Sequence, residues 1–597
     1  MSEKTVTDKV IDFIFGKKEF VILLLIVIFG AIIRAIVAAN VGPSADEIVY
    51  GTHAIDIIKS GAIGNQNQAI LWFYMQDIFY NIFGVTLFSS KFSSFFFGTL
   101  TIIVIFLLTK ELSNKKTALV ASFLYAVSPF ATRMMIMEMD TAATFFVAFA
   151  IYFFIKDLKH NKVSIPAFVI MGLAYMVKAF GLIYIFSFIL VYIIHYITLK
   201  EKRKEFITKN NIKALVISMV ILIIIVMPIL TYNYLLYKEK GLTDVMFVRF
   251  MDSNNELFKP IMASLKPFEL FGDTGFFPIQ LIGTSREYFF KMDPILFTLF
   301  ILGLISAIIK KNKELIYLTI TFLPAYVFTA GTSTLAKHFV FYLVLFSTIG
   351  AIFLVNIIEK IKNHENKKKV YISFVLIVIF SSLFILWPHI TSTSARGGLR
   401  DYAIKNIDDN TVVIVDSRIY RGEIAWMFND KHYIEASLFQ SIIDSLKNLP
   451  QKEVPVKTIF IECAIYDCGW GTIKPGQLND SMEYMVSLFS NMSKQIIAIN
   501  GGGGYGEPTN KPHFRVYETT LMLKPSILEG VDQTHIMFYY PVRWKLKDQI
   551  YDSYTPKTLL DKFLQNFSYL VLWLEIIIAF SLVIILFYYV YKETIEL

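Results

Sequence analysis

Along the chain, long apolar runs alternate with short polar connections, and the runs have the length of membrane-crossing helices. A helix needs roughly 17 to 25 apolar residues to span a bilayer. Twelve such runs fall near 20–39, 92–109, 117–132, 141–156, 163–177, 180–198, 212–232, 292–309, 315–330, 339–358, 370–387 and 567–591. A short tail, 1–19, precedes the first. With that tail inside, the connections 110–116, 157–162, 199–211, 310–314 and 359–369 share its side. They carry the clusters Lys115-Lys116, Lys202-Arg203-Lys204, Lys310-Lys311 and Lys367-Lys368-Lys369, as the positive-inside rule requires. The stretch Ala69 to Phe88 is apolar but interrupted by Gln76, Asp77 and Asn81, and if it crossed, every later basic loop would lie on the wrong side. The pattern therefore predicts an amphipathic helix on the outer surface, with Trp72, Phe73, Tyr74 and Tyr80 at head-group level.

The periodicity changes after the eleventh run. Thr411–Asp416, Lys457–Glu462 and Gln495–Ile499 read as buried strands, with further strands at His513–Thr519 and Met537–Pro541. Arg421–Phe428, Leu438–Leu449 and Leu478–Met492 read as helices between them, which predicts a βαβ-type sandwich with a parallel core. The expected fold is a polytopic α-helical membrane protein of about twelve transmembrane helices, with an extracytoplasmic α/β domain before the last helix. Its parts are a cytoplasmic tail (1–19), a transmembrane domain (20–390), the outer α/β domain (395–562) and a final transmembrane helix (567–591). The outer segment 233–291 mixes Arg249, Lys259, Lys266 and Arg286 with many aromatic residues and reads either as interfacial helices with a lid or as membrane-hugging packing.

Composition agrees with this reading. Hydrophobic residues make up 55% and charged residues 18%, with a mean hydropathy of +0.55. A water-soluble chain of this length would not tolerate that balance. The net charge of +9 is spread over inner loops, so it serves topology and excludes nucleic acid as the partner. Both cysteines, Cys463 and Cys468, lie in the outer domain, as a short bridge or as two thiols; two ligands are too few for a metal site. The glycine run 501–504 follows a strand, but Pro508 and Pro512 leave no helix after it, so it reads as a turn and not as a phosphate loop.

Candidate chemistry gathers on the outer side. Asp46 and Glu47 directly follow the first span, where loss of solvation tunes a carboxylate and Asp46 is placed to accept a proton from a hydroxyl. A solvated acidic pair is the alternative. Glu138 and Asp140, in the loop from Ser128 to Asp140, offer carboxylates for a divalent metal such as Mg or Mn, or for neutralising Arg133. Lys178 and the pair Lys337-His338 stand at outer span ends, suited to a lipid phosphate or to snorkelling.

These residues together resemble the GT-C glycosyltransferases, membrane enzymes that use polyprenyl-phosphate sugars, and among them the protein O-mannosyltransferase and aminoarabinose transferase branch. The resemblance rests on Arg34 in the first span, Asp46-Glu47 with Tyr50, and Phe83-Gly84 leading to Lys91. The basic turn Lys110 to Lys116, the Ser128-Pro129 loop reaching Asp140, and Lys178-Ala179-Phe180-Gly181 continue it. It covers 20–190 well, weakens to about 360 and is absent over 395–566. It departs where the family often has Lys-Pro-Pro or His-Pro-Pro, here Gln66 to Leu71, and where its usual Arg is Lys91, which keeps the charge without the bidentate fork. The resemblance implies inverting transfer from a polyprenyl- or dolichyl-phosphate sugar to a protein, lipid or glycan acceptor, outside an integral cell membrane. By it Asp46 is the base, Glu47 its neighbour and Asp140 a supporting acid. Tyr50, Lys91, Arg133, Lys178, Arg286, Lys337 and His338 are then the donor-binding set, with Glu138 and Asp140 the metal ligands. An oligosaccharyltransferase or a lipid-sugar flippase is the alternative; a flippase predicts mid-membrane charges and internal repeats, and no repeat is visible.

Overall fold

The computed structural model describes residues 18–43, 45–65, 68–199, 203–241, 243–244, 247, 271–272, 275–332, 335–419, 421–464, 487–489, 491, 494–501, 512–528, 536–537, 540–541 and 554–595. Among these the chain is mostly helical, and all twelve apolar runs are helical. Eight helices are long and apolar enough to cross a membrane: α1 (Lys18–Asn40), α4 (Phe92–Leu112), α6 (Asp140–Lys159), α8 (Gly181–Thr198), α9 (Lys209–Lys240), α11 (Lys313–Thr332), α13 (His364–Ile390) and α17 (Leu559–Ile595). Three shorter apolar helices complete the bundle, α7 (Ile165–Val177), α10 (Pro294–Ile309) and α12 (Tyr342–Ile358). The remaining run, 117–132, is divided between α5 (Lys115–Ala126) and a short helix Pro129–Arg133. Ser128 causes the break: its hydroxyl accepts from the Ala131 N–H, and Pro129 starts the new turn. Polar loop residues start several other helices in the same way, with Asn114, Ser164, Thr208 and Asn363 capping α5, α7, α9 and α13.

Helix α6 is the most enclosed span, packed between α4 and α7. The last helix, α17, closes the bundle against α9. Lys238 meets both oxygens of Asp561 at 2.8 Å and Ser568 donates to Thr231 at 2.7 Å. Arg34 turns away from the outer loops and donates to the carbonyls of Tyr125 (3.0 Å) and Ala126 (2.8 Å), so it ties α1 to the end of α5 and pairs with no acid among the described residues.

The interrupted stretch forms α3 (Leu71–Phe83), too short to cross. It does not lie on the surface as the pattern predicts. Trp72, Phe73 and Tyr74 are fully buried, and Tyr74 meets Trp573 of α17 edge-on. Only its last turn, Asn81 to Phe83, is exposed. The polar interruptions are the reason it can be inserted: Asp77 accepts from the Asp56 and Ile58 N–H groups, and Gln76 donates to the Ser89 carbonyl.

The domain before α17 begins with α14 (Ala395–Asn406) and is built on a sheet of β1 (Thr411–Val415), β2 (His432–Glu435), β3 (Val454–Cys463), β4 (Lys494–Asn500) and β5 (Pro512–Leu523). Its strand order is β2-β1-β3-β5-β4. The first three are parallel and β5 runs against both β3 and β4, so only half of the predicted parallel core is parallel. Wholly buried Thr411-Val-Val-Ile-Val415 is a central strand covered on both faces. Helices α15 (Arg421–Met427) and α16 (Ala436–Leu446) follow β1 and β2. Cys463 is disulfide-bonded, which selects the bridge reading over free thiols. Most of the predicted helix 478–492 and most of the glycine run lie outside the described residues.

One face of the sheet shares a core with the membrane bundle. Val413, Val415, Ile459 and Ile461 pack with Leu399 and Trp426 and with Ile48, Leu87 and Met137 from the loops between spans. The α/β domain is thus seated on the segments that carry the candidate site.

Candidate active site

Helix α2 (Ala45–Ala54) follows α1 directly. Asp46 lies in its first turn, and its side chain lies outside the described residues. Glu47 is fully buried and accepts the Met137 N–H at 3.0 Å, so it is a tie between α2 and the second acidic loop and not a solvated carboxylate. Lys91, just before α4, is also fully buried. Its ammonium donates to the Val41 carbonyl, and burial, opposed by the nearby Glu47 carboxylate, pushes it down to about 8.

The loop ahead of α6 brings in two more acids. Lys337 lies 2.7 Å from Glu138, and Lys178 lies 2.6 Å from Asp140. The His338 Nδ1 atom is 3.0 Å from Asp140 and 3.2 Å from Lys178. Burial, reinforced by the Lys178 charge, pushes the His338 imidazole down to about 4. Burial also raises the Glu138 carboxyl, against the pull of the Lys337 ammonium. The Lys337 ammonium stands 6.0 Å from the Tyr50 ring centre, and Gln68 reaches the Tyr50 hydroxyl at 3.4 Å. Two elements widely separated in sequence, the turn at Lys178 and the turn Ala336–Phe339, are therefore folded onto one loop.

Charge accounts for the arrangement. Glu47, Glu138 and Asp140 balance Lys91, Lys178 and Lys337, all buried, and none could be carried there alone. Among the described contacts the partners of Glu138 and Asp140 are Lys337, Lys178 and His338. An ammonium on each carboxylate opposes a divalent cation, and among the described residues no group of three or more acids, histidines or cysteines is placed to hold one. Arg133 ends its short helix half-buried, with His389 of α13 as an electrostatic neighbour. Arg286 is not in the cluster. It is 70% exposed and pairs with Glu287 at 3.0 Å. It instead stands on the rim of an apolar groove of about 390 Å³ lined by Leu281, Ile282, Phe290, Phe297, Ile301 and Tyr326. The segment that carries the groove's Phe290 also touches the turn of the cluster, because Tyr288 stacks on Phe339 at 4.9 Å, next to His338.

Sequence reasoning missed the contacts from the α/β domain. Arg396 of α14 pairs with Glu423 of α15 at 2.7 Å and donates to the Pro43 carbonyl at 3.4 Å. Arg400 donates to the Val85 carbonyl at 2.9 Å, and the Trp426 indole N–H to Ser90 at 3.0 Å. The only signal was the spacing of Arg396 and Arg400 by one helical turn, which puts both on one face.

A bundle of apolar spans with a buried, charge-balanced cluster at one end, roofed by an α/β domain, defines a polytopic membrane protein with an enclosed polar site. Residues 67–232 match the family described as dolichyl-phosphate-mannose-protein mannosyltransferase. The match bears out the resemblance of this region to the GT-C membrane glycosyltransferases. Among solved structures the chain is similar to ArnT from Cupriavidus metallidurans bound to undecaprenyl phosphate, at 11% identity and a TM-score of 0.48, over 83% of this chain and 97% of that one. It is also similar to the archaeal oligosaccharyltransferase AglB from Archaeoglobus fulgidus in complex with an inhibitory peptide and a dolichol-phosphate, at 13% identity and a TM-score of 0.44, over 73% and 69% of the two chains. A comparison with curated protein sequences gives no match.

Proposed function

We propose that the protein is an inverting glycosyltransferase that moves a sugar from a polyprenyl-phosphate donor to an acceptor hydroxyl on the outer side of the membrane. The buried cluster of Lys178, Lys337 and His338 held by Asp140 and Glu138 carries this reading. In the proposed reaction Asp46 takes the acceptor proton as the oxygen attacks the anomeric carbon, and the lipid phosphate leaves from the opposite face. Lys178 and Lys337, fixed and partly desolvated, stabilise the charge that grows on the departing phosphate. His338, neutral over the working range, offers a nitrogen hydrogen bond without adding charge. The groove beside Phe290 and Tyr326 takes the prenyl chain, with Arg286 at its rim near the phosphate level. No step is routed through a metal. The basic loops on the opposite side support an outer position for the cluster and the α/β domain.

The test is transfer from a panel of polyprenyl-phosphate sugars by purified protein, wild type against Asp46→Asn, with and without a chelator. Release of lipid phosphate should fall about 10²- to 10⁴-fold in the variant, the usual contribution of a positioned base, and should be indifferent to the chelator. Equal turnover in both proteins would remove Asp46 as the base.

A further inference from the structure

The segment 41–43 after α1 is gripped from two sides. From the membrane bundle, the Lys91 ammonium binds the Val41 carbonyl. From the α/β domain, Arg396 binds the Pro43 carbonyl, three residues before Asp46, while its other guanidinium nitrogen is held by Glu423. Arg396 and Glu423 are both buried, so this is a desolvated pair with little freedom to rearrange. The grip extends along α2. The Thr52 hydroxyl lies 3.5 Å from the Gly422 carbonyl at the start of α15, which packs along α2, and Ile48 enters the domain's own core. Trp426, on the same helix, holds Ser90, the neighbour of Lys91. Both clamps on the loop are therefore tied to α15. Where β4 ends, the chain packs directly on the start of α14: a Cβ on Gly501 would meet the Ala395 nitrogen and the Thr393 carbonyl oxygen at 2.7 Å, backbone that cannot yield.

We propose that the α/β domain is a positioning device for the site, in which Arg396, set by Glu423, fixes the loop into α2 and with it the orientation of the first-turn acid. Arg396 and Glu423 are positioning residues and touch no substrate. The kinetic part rests on the glycosyltransferase reading; the structural part does not. A domain whose buried charges are spent on holding the loop controls the rate of the chemical step, whereas a domain that collects acceptor would control its affinity.

Two readouts on the full chain in detergent separate these. In Arg396→Gln, amide exchange over 41–54 should rise by at least about tenfold, the scale of losing a hydrogen bond to a charged group, while exchange in α6 stays unchanged. In the transfer assay kcat should fall about 10- to 100-fold, as misplacement of a reacting group does, with KM for both substrates held within about twofold. Arg396→Lys, which keeps the charge but reaches one partner at a time, should recover part of both effects. If Arg396→Gln does not fold, Trp426→Phe removes one N–H from α15, which carries Glu423, and exchange over 85–91 and 41–54 should rise together. Unchanged exchange over 41–54, or a rise in acceptor KM at constant kcat, would overturn the proposal. If no donor is turned over by wild type, the glycosyltransferase reading fails, and the exchange result alone decides the positioning role.

Discussion

Single residues in this protein are explained by what their charge would cost without a partner. Lys178, Lys337 and Lys91 sit where an isolated ammonium would not be tolerated, and each is matched by a carboxylate on a different segment of chain. His338 is the imidazole of this group. A free imidazole titrates near 6.5, whereas burial and Lys178 hold His338 down to about 4. Between those two values the unfolded chain takes up a proton that the folded protein refuses, so stability falls as pH drops from about 6.5 to 4 and is unaffected by this group below that window. His338→Asn should remove part of that loss, at most about 3 kcal/mol. Thermal unfolding of both proteins from pH 7 to 4 measures it; identical pH profiles would show that His338 is not the group responsible.

One helix has the character its sequence predicts but a different place. The helix Leu71–Phe83 has an aromatic, amphipathic composition that fits a membrane surface as well as a helix cleft. What decides is whether Gln76 and Asp77 find partners, and Ser89, Asp56 and Ile58 supply them. The opposite case is Glu575 of α17, buried with neither carboxylate oxygen hydrogen-bonded among the described residues. An unsatisfied buried polar group costs about 1 to 3 kcal/mol. Replacing Glu575 by Leu should therefore raise the unfolding midpoint, while leaving exchange over 41–54 unaltered. A lowered midpoint would mean that the carboxyl serves an interaction absent from the described contacts.

At the scale of the whole molecule the α/β domain and the bundle are one cooperative structure, because Ile48, Leu87 and Met137 from the membrane region complete the hydrophobic core under the sheet. Leu399, buried in that seam, tests it. Leu399→Ala should cost about 2 to 5 kcal/mol and should raise amide exchange in 45–54 and in 411–463 together. A rise confined to the domain would mean that the two parts unfold independently.

The sequence alone determined what depends on local pattern. Apolar runs of spanning length, basic loops on one side and a β-branched run at Thr411–Val415 need no knowledge of neighbours, because the bilayer and the sheet impose length and period on the chain directly. Charges at span ends are costly wherever they fall, so the sequence also marks Asp46, Glu47, Lys91, Arg133, Glu138, Asp140, Lys178, Arg286, Lys337 and His338 as candidates, a wider set than the buried cluster. Only the tertiary structure decided who pairs with whom. Glu138 finds Lys337 across nearly two hundred residues and Glu47 finds the Met137 backbone, and such pairings are settled by packing and desolvation, which leave no period in a sequence. The same holds for Arg396. Its value lies in the Pro43 carbonyl it meets, and that meeting exists only after the domain has closed over the bundle.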